Sequence, residues 1–193
     1  WSAACSVGAE AYSVAMILED SGIPYEIIGS DINTEVVQKA NIGLYPLKWM
    51  DKISTNYIQK YCLRGKGQHE GWFLVDRMLL NNMKFETRNL IVPQKNLELF
   101  DVIFLRNVLI YFDATTKDII VNNILSNLKP VRMISFIRAV YKFGYKSAKI
   151  VDKYSDVYKN IDKPYDNLKI YNYKPGDDIQ IKFLKKIAAA NLL

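Results

Sequence analysis

A chain of 193 residues, half of them hydrophobic, can bury one sizeable core, so we expect one globular domain with at most a small insert. The net charge of +6 is uneven: residues 1–130 carry 13 Lys/Arg and 14 Asp/Glu, whereas residues 131–193 carry 13 and 6. Two cysteines outside any C-x-x-C pair, with a single histidine, argue against a disulfide framework, a zinc site and a serine-type triad.

The distribution of apolar and basic residues also limits the class of protein. No window approaches the roughly 18 apolar residues of a membrane span, and no secretory leader precedes Trp1. The C-terminal lysines are spaced singly among Tyr and Asp, which is more typical of a solvated face than of a nucleic-acid site. We therefore expect a cytoplasmic protein with no membrane insertion, no nucleic-acid partner and no metal.

The first thirteen residues, WSAACSVGAEAYS, predict the end of a buried strand, a tight turn and the start of a helix. One glycine, Gly8, argues against the three-glycine turn that binds a dinucleotide. Glu10 at the helix start would repel phosphate and suits a cationic ligand, such as an ammonium or a sulfonium. The alternative is an ordinary turn in which Glu10 only complements the helix dipole.

A strand–helix–strand unit follows from this turn. Helical spacing over residues 11–20 and a short apolar strand over residues 25–31 predict a parallel sheet. Asp31, about twenty residues after the glycine turn, stands where a doubly wound fold places a carboxylate for the two ribose hydroxyls. The alternative is a helix N-cap for residues 36–41, a role that Asn33 or Thr34 could also fill.

Residues 43–82 depart from this pattern. Strand-length apolar runs lie on either side of a glycine-rich stretch at residues 65–71. They predict an antiparallel hairpin or three-stranded ribbon, inserted at the surface, whose edge could bind a partner.

The sheet resumes with a third strand over residues 83–90. This strand ends at Asn89, whose amide would suit a purine edge but could equally cap a turn. The strongest strand of the chain begins at Phe100, has a polar break at Arg106 and Asn107, and continues to Phe112. Tyr111 in this run is either a core residue or one wall of a ligand site.

An amphipathic helix over residues 117–128 completes the patterned part of the chain. It is capped by the segment Asp113-Ala114-Thr115-Thr116 and stops at Lys129-Pro130. The period is lost after this point.

These motifs resemble the CheR family of S-adenosylmethionine-dependent methyltransferases, which esterify glutamate side chains of bacterial chemoreceptors. The match is carried by the opening thirteen residues, by Ser30-Asp31-Ile32, by Arg64-Gly65 with His69-Glu70-Gly71, by Phe85 with Asn89-Leu90, and by residues 100–113. The resemblance implies an α/β, Rossmann-like class I methyltransferase domain at residues 1–130, with a mostly parallel sheet and an antiparallel β insert at about residues 43–82.

The resemblance also implies a cofactor, a partner and a set of site residues. The cofactor would be S-adenosylmethionine, and the partner the cytoplasmic region of a chemoreceptor, bound by a monomer whose insert holds the receptor's C-terminal peptide. Tyr111 would lie near the transferred methyl group. The cofactor itself would be contacted by Glu10, Asp31 (through the ribose), Asn89, Leu90, Arg106 and Asn107.

Three departures from the family pattern carry expectations of their own. Ala9 stands where the family usually has a second acid, so we expect altered cofactor affinity. The family's N-terminal helical domain is expected to be absent. Residues 131–193 form a divergent basic tail, either frameshifted or a genuine replacement, whose order the sequence leaves open. The alternative to an active enzyme is a non-catalytic remnant that binds S-adenosylmethionine or a receptor.

Overall fold

The computed structural model describes residues 1–135, and the side chains of residues 1–129. The described residues fall into two compact units. The N-terminal unit contains Ser2 and residues 4–88, and the C-terminal unit contains Trp1, Ala3 and residues 89–135. The expected tail, apart from the backbone of residues 131–135, lies outside the described residues.

The N-terminal unit begins as a strand–helix–strand–helix segment. Ser2, the first residue of strand β1 (Ser2–Ala3), is followed in this unit by helix α1 (Ala9–Asp20), strand β2 (Ile27–Asp31) and helix α2 (Thr34–Ile42). Helix α1 buries seven side chains, because its apolar residues recur around most of its circumference. Glu10 lies in its first turn, as the sequence predicts.

The insert is a three-stranded antiparallel sheet, which confirms the interpretation of the apolar runs. Its strands are β3 (Leu44–Pro46), β4 (Cys62–Arg64) and β5 (Trp72–Val75), with β5 in the centre. A helix that the sequence analysis missed, α3 (Thr55–Tyr61), lies between β3 and β4.

Strand β6 (Met83–Thr87) closes the unit by pairing in parallel with β2, so that Asp31 stands opposite Thr87. It ends before Asn89, which the sequence analysis had placed at the end of this strand. The aromatic rings of Tyr12 and Phe85 pack with centroids 5.4 Å apart, and this contact joins α1 to β6.

The C-terminal unit repeats the parallel arrangement. Strand β7 (Phe100–Leu105) is followed by helix α4 (Ala114–Leu125) and strand β8 (Leu128–Ser135), which pairs in parallel with β7. Asp113 caps α4 by accepting hydrogen bonds from the backbone N–H and the hydroxyl of Thr116, as predicted. The predicted run to Phe112 is wrong beyond Leu105, because the chain turns at Arg106 and Asn107.

Both units are α/β, and their long strand pairs are parallel and connected through helices. This confirms the prediction of a mostly parallel, Rossmann-like fold with a small antiparallel insert. Among residues 1–135, no helix has the length and apolarity to cross a membrane.

Candidate functional site

The turn between β1 and α1 has an unusual backbone. Ala4 and Ser6, neither of them glycine, have φ angles of 63° and 51°, and Gly8 has a φ of 84°. Left-handed conformations cost non-glycine residues roughly 1–2 kcal/mol each. Such conformations persist only where surrounding contacts enforce them.

Gly8 is required by its surroundings within the protein. A Cβ atom at this position would lie 2.9 Å from the Cβ of Ala40 and 3.0 Å from the ring of Phe85. The absence of a side chain here lets the turn pack against α2 and β6.

Asp31 holds the turn from the end of β2. Its Oδ2 accepts a hydrogen bond from the backbone N–H of Ser6 at 2.9 Å, and its Oδ1 accepts one from the N–H of Asn33 at 3.0 Å. The N-cap of α2 is Asn33, whose side chain accepts from the N–H groups of Glu35 and Val36. The alternative of Asp31 as a helix cap is therefore wrong, and its half-buried carboxylate stands beside the turn.

Glu10 is oriented by a residue at the other end of the turn. The hydroxyl of Ser2 donates a hydrogen bond to Oε1 of Glu10 at 2.8 Å, and Ser2 is 2% exposed. A carboxylate in the first turn of a helix also interacts favourably with the backbone N–H groups there.

The charges of both carboxylates affect the thiol of Cys5. Burial, then the negative charge of Asp31 and, with a smaller effect, that of Glu10 together raise the pKa of its thiol to about 12. The electrostatic potential at the turn is therefore negative. A cationic or hydroxyl-bearing ligand suits this place better than a phosphate does.

The remaining predicted residues lie in the C-terminal unit. Asn89 forms a turn, in which its Oδ1 accepts from the N–H of Ile91 at 3.0 Å. Leu90 is buried, and its carbonyl accepts a hydrogen bond from the side chain of Asn123 at 2.9 Å. The alternative that Asn89 caps a turn is thus observed, and Asn123 on α4 is a supporting residue that the sequence analysis missed.

The segment after β7 carries the other three predicted residues. Arg106 is half-buried, and Asn107 is exposed with a φ of 54°. Tyr111 ends a single 3₁₀ turn, Leu109–Tyr111, and is 78% exposed, which rules out a core role for it within the described residues.

The structure therefore places Glu10 and Asp31 in the N-terminal unit, where both accept hydrogen bonds from the segment of residues 2–6. The second group belongs to the C-terminal unit and comprises Asn89, Leu90, Arg106, Asn107 and Tyr111. Sequence analysis missed Ser2 and Ser6, which contact the two carboxylates. Serines in a run of small residues can donate hydrogen bonds, but the residue type alone does not indicate to which acceptor.

Comparison with known proteins shows which family the chain resembles in sequence. Residues 1–135 match the family model described as CheR methyltransferase, SAM binding domain. The chemotaxis protein methyltransferases of Salmonella typhimurium and Escherichia coli are 43% and 42% identical to this chain over 135 residues. The aligned residues are 67% of this chain and 47% of each of those proteins, so the chain spans about half the length of the curated relatives it matches.

A solved structure, magnesium protoporphyrin IX methyltransferase from Synechocystis PCC 6803 with bound SAM, is similar at a TM-score of 0.44 and 20% identity. The similarity covers 80% of this chain and 56% of that one.

Proposed function

The chain belongs to the CheR methyltransferase family, in which it carries the SAM binding domain, and we propose that it transfers a methyl group to glutamate side chains of chemoreceptors. S-adenosylmethionine, when bound, supplies that methyl group. The observation that carries the proposal is the pair of carboxylates, Glu10 and Asp31, that accept hydrogen bonds from Ser2 and Ser6 on either side of Cys5, in a segment with a single glycine.

Asp31 fits the ribose of this cofactor. Each of its carboxylate oxygens accepts one backbone hydrogen bond, and a carboxylate has about four lone-pair positions in all. Positions therefore remain on both oxygens for two ribose hydroxyls. The two backbone donors hold the carboxylate in one orientation before a ligand arrives, which lowers the entropy cost of binding.

Glu10 fits a positively charged part of the cofactor. Its carboxylate belongs to the first turn of α1, accepts a hydrogen bond from Ser2 in β1, and contributes to the negative potential that acts on Cys5. S-adenosylmethionine carries an ammonium and a sulfonium and no phosphate, which matches this charge and the single glycine.

The family resemblance implies that residues of the C-terminal unit contact the same cofactor. Asn89, Leu90, Arg106 and Asn107 would line its adenosine and methionine parts, and Tyr111 would lie near the transferred methyl group. The high exposure of Tyr111 leaves its hydroxyl accessible to a ligand or a substrate. These assignments remain predictions, to be tested one residue at a time.

Methyl transfer to a glutamate side chain requires little acid–base catalysis by the protein. A glutamate side chain is already ionised at pH 7, so no general base has to activate it. The residues would act by holding the two reactants in line and by excluding water, and such alignment can supply several kcal/mol of the barrier reduction.

The proposed partner is the cytoplasmic region of a chemoreceptor, which places a monomer of this chain in the cytoplasm. The insert offers β4 as an edge strand, since β5 lies between β3 and β4. The backbone N–H of Gly65 donates to the carbonyl of Trp72 at 2.9 Å, so the N–H of Arg64, one residue earlier, points away from β5. An extended receptor peptide could pair with this edge.

Two measurements test the proposal. Calorimetric titration of the full chain with S-adenosylhomocysteine should show saturable binding, and a methanol-release assay after incubation with receptor and S-adenosylmethionine should show ester formation. Binding without ester formation would identify the non-catalytic remnant instead. Failure of a folded chain to bind S-adenosylhomocysteine would contradict the proposal.

A further inference from the structure

We propose that Ser2 is a positioning residue, which orients the Glu10 carboxylate toward the ammonium group of the cofactor's amino-acid part. This inference rests on the proposed cofactor role of Glu10. It concerns a residue that lies in β1, before the turn, whereas Glu10 lies after the turn in α1.

The contact between the two residues is direct and partly buried, with Ser2 on the buried side. The hydroxyl of Ser2 donates to Oε1 of Glu10 at 2.8 Å, and Ser2 is 2% exposed. Hydrogen bonds to an ionised acceptor are about twice as strong as those between neutral groups. A buried hydroxyl also needs a partner, because leaving it without one is costly.

The bond restricts a flexible side chain at the place where its direction matters. A glutamate has three rotatable side-chain bonds, and the helix start favours its charge without fixing where the carboxylate points. The strand supplies the missing constraint, because Ser2 is held in β1 and its hydroxyl engages one carboxylate oxygen. An ionised carboxylate has about four lone-pair positions, so a hydrogen bond from Ser2 does not by itself prevent Glu10 from accepting one from an ammonium.

A purely structural role for Ser2 makes a different prediction. If its hydroxyl only satisfied a buried group, its removal would weaken the binding of every ligand to a similar extent. If it aims Glu10, the loss should depend on whether the ligand carries the ammonium. S-adenosylhomocysteine and its analogue without the α-amino group form the pair of probes that separates these roles.

The experiment measures both dissociation constants by calorimetry in the 193-residue wild-type chain, Ser2→Ala, Glu10→Gln and the double variant. Ser13→Ala is the matched control, because the Ser13 hydroxyl donates to the Ala9 carbonyl at 2.9 Å within the same helix. We expect Ser2→Ala to weaken the binding of S-adenosylhomocysteine about tenfold, because Glu10 would lose its charge-assisted hydrogen bond to the ammonium. Binding of the deamino analogue should weaken less than about twofold. Ser13→Ala should change neither.

The double variant tests whether Ser2 acts through Glu10. We expect it to bind S-adenosylhomocysteine no more weakly than Glu10→Gln alone, since coupled residues are not additive. Equal weakening of both ligands by Ser2→Ala, or additive losses in the double variant, would overturn the inference.

Two further outcomes keep the inference separate from the proposed function. Normal binding in Glu10→Gln would overturn the cofactor role of Glu10 itself. A loss of affinity in Glu10→Gln with wild-type binding in Ser2→Ala would overturn only the inference about Ser2.

If Ser2→Ala does not fold, as judged by circular dichroism, Ser2→Cys keeps a side chain of similar size with a weak donor. It should show the same loss of discrimination between S-adenosylhomocysteine and the deamino analogue. A Ser2→Cys variant with undiminished discrimination would overturn the inference.

Discussion

The backbone N–H of Ser6 donates a hydrogen bond to Oδ2 of Asp31 at 2.9 Å, and this contact connects the turn before α1 to the end of β2. Ser6 has a left-handed φ of 51°, and the bond helps to hold it there. The carboxylate that we assign to the ribose therefore also shapes the turn. Its loss should affect both ligand affinity and the conformation of the turn.

The first prediction concerns Asp31→Ala. A hydrogen bond to a charged group contributes roughly 1.5–3 kcal/mol, so this variant should bind S-adenosylhomocysteine at least about tenfold more weakly. Calorimetric titration measures the change. Glu26→Ala is the matched control, because Glu26 is an exposed acid just before β2, at the opposite end of the strand, and its loss should leave affinity unchanged. An unaltered dissociation constant in folded Asp31→Ala would remove Asp31 from the site.

The second prediction compares two glycines with positive φ. Gly8 and Gly22 have φ angles of 84° and 63°, but a Cβ at Gly22 would have no atom within 4 Å, whereas one at Gly8 would crowd Ala40 and Phe85. Gly22→Ala should therefore cost only the backbone strain, roughly 1–2 kcal/mol of unfolding free energy. Gly8→Ala should cost about 1–3 kcal/mol more, through overpacking. Urea denaturation measures both, and equal losses would show that the packing of the turn against α2 and β6 is loose.

The positions of the carboxylates could be predicted from the sequence, because they follow from where strands end and helices begin. Asp31 ends an apolar run, and Glu10 follows a glycine that precedes a helical period. The donors that hold them could not be predicted. Whether Ser2 and Ser6 reach a carboxylate depends on the conformation of the turn. The left-handed φ of Ser6 could not be predicted, because serine has no preference for that conformation.

The missed helix α3 has a different physical reason. Residues 55–61 include Tyr57, Ile58 and Tyr61, which are residue types with a preference for strands, in a segment whose neighbours do form strands. Seven residues make too few turns for a helical period to stand out. Tertiary contacts decide such a segment: Tyr61 is buried, and Lys60 forms an ion pair with Asp20.

The third prediction uses the buried thiol of Cys5. Its pKa is raised from 9.0 to about 12, first by burial and then by the charge of Asp31. Above pH 9 the unfolded chain releases this proton and the native chain keeps it, so the stability present below pH 9 is lost as the pH rises toward 12. Between pH 8 and pH 10.5 this one group should lower the unfolding free energy by about 2 kcal/mol.

Urea denaturation at the two pH values tests this prediction in a Cys62→Ala background with and without Cys5→Ala. The variant without Cys5 creates a small cavity and will be less stable at both pH values. The informative quantity is therefore the difference between pH 8 and pH 10.5, which should be about 2 kcal/mol smaller when Cys5 is replaced. Identical differences in the two chains would show that the thiol titrates normally.

The last prediction concerns the edge strand β4 and the receptor. The hairpin between β4 and β5 is closed by the bond from Gly65 to Trp72, so deleting residues 65–71 would damage the insert itself. A single substitution is more selective. Arg64→Pro removes one N–H that points away from β5, and proline is tolerated at such edge positions because the ladder to β5 keeps its own donors. Arg64→Ala removes the side chain and keeps that N–H.

If a receptor peptide pairs with the edge, fluorescence anisotropy with a labelled C-terminal receptor peptide should show a much larger loss of affinity for Arg64→Pro than for Arg64→Ala. S-adenosylhomocysteine should bind both variants as it binds the wild type. Equal losses in the two variants would mean that the arginine side chain, and not the strand edge, contacts the receptor.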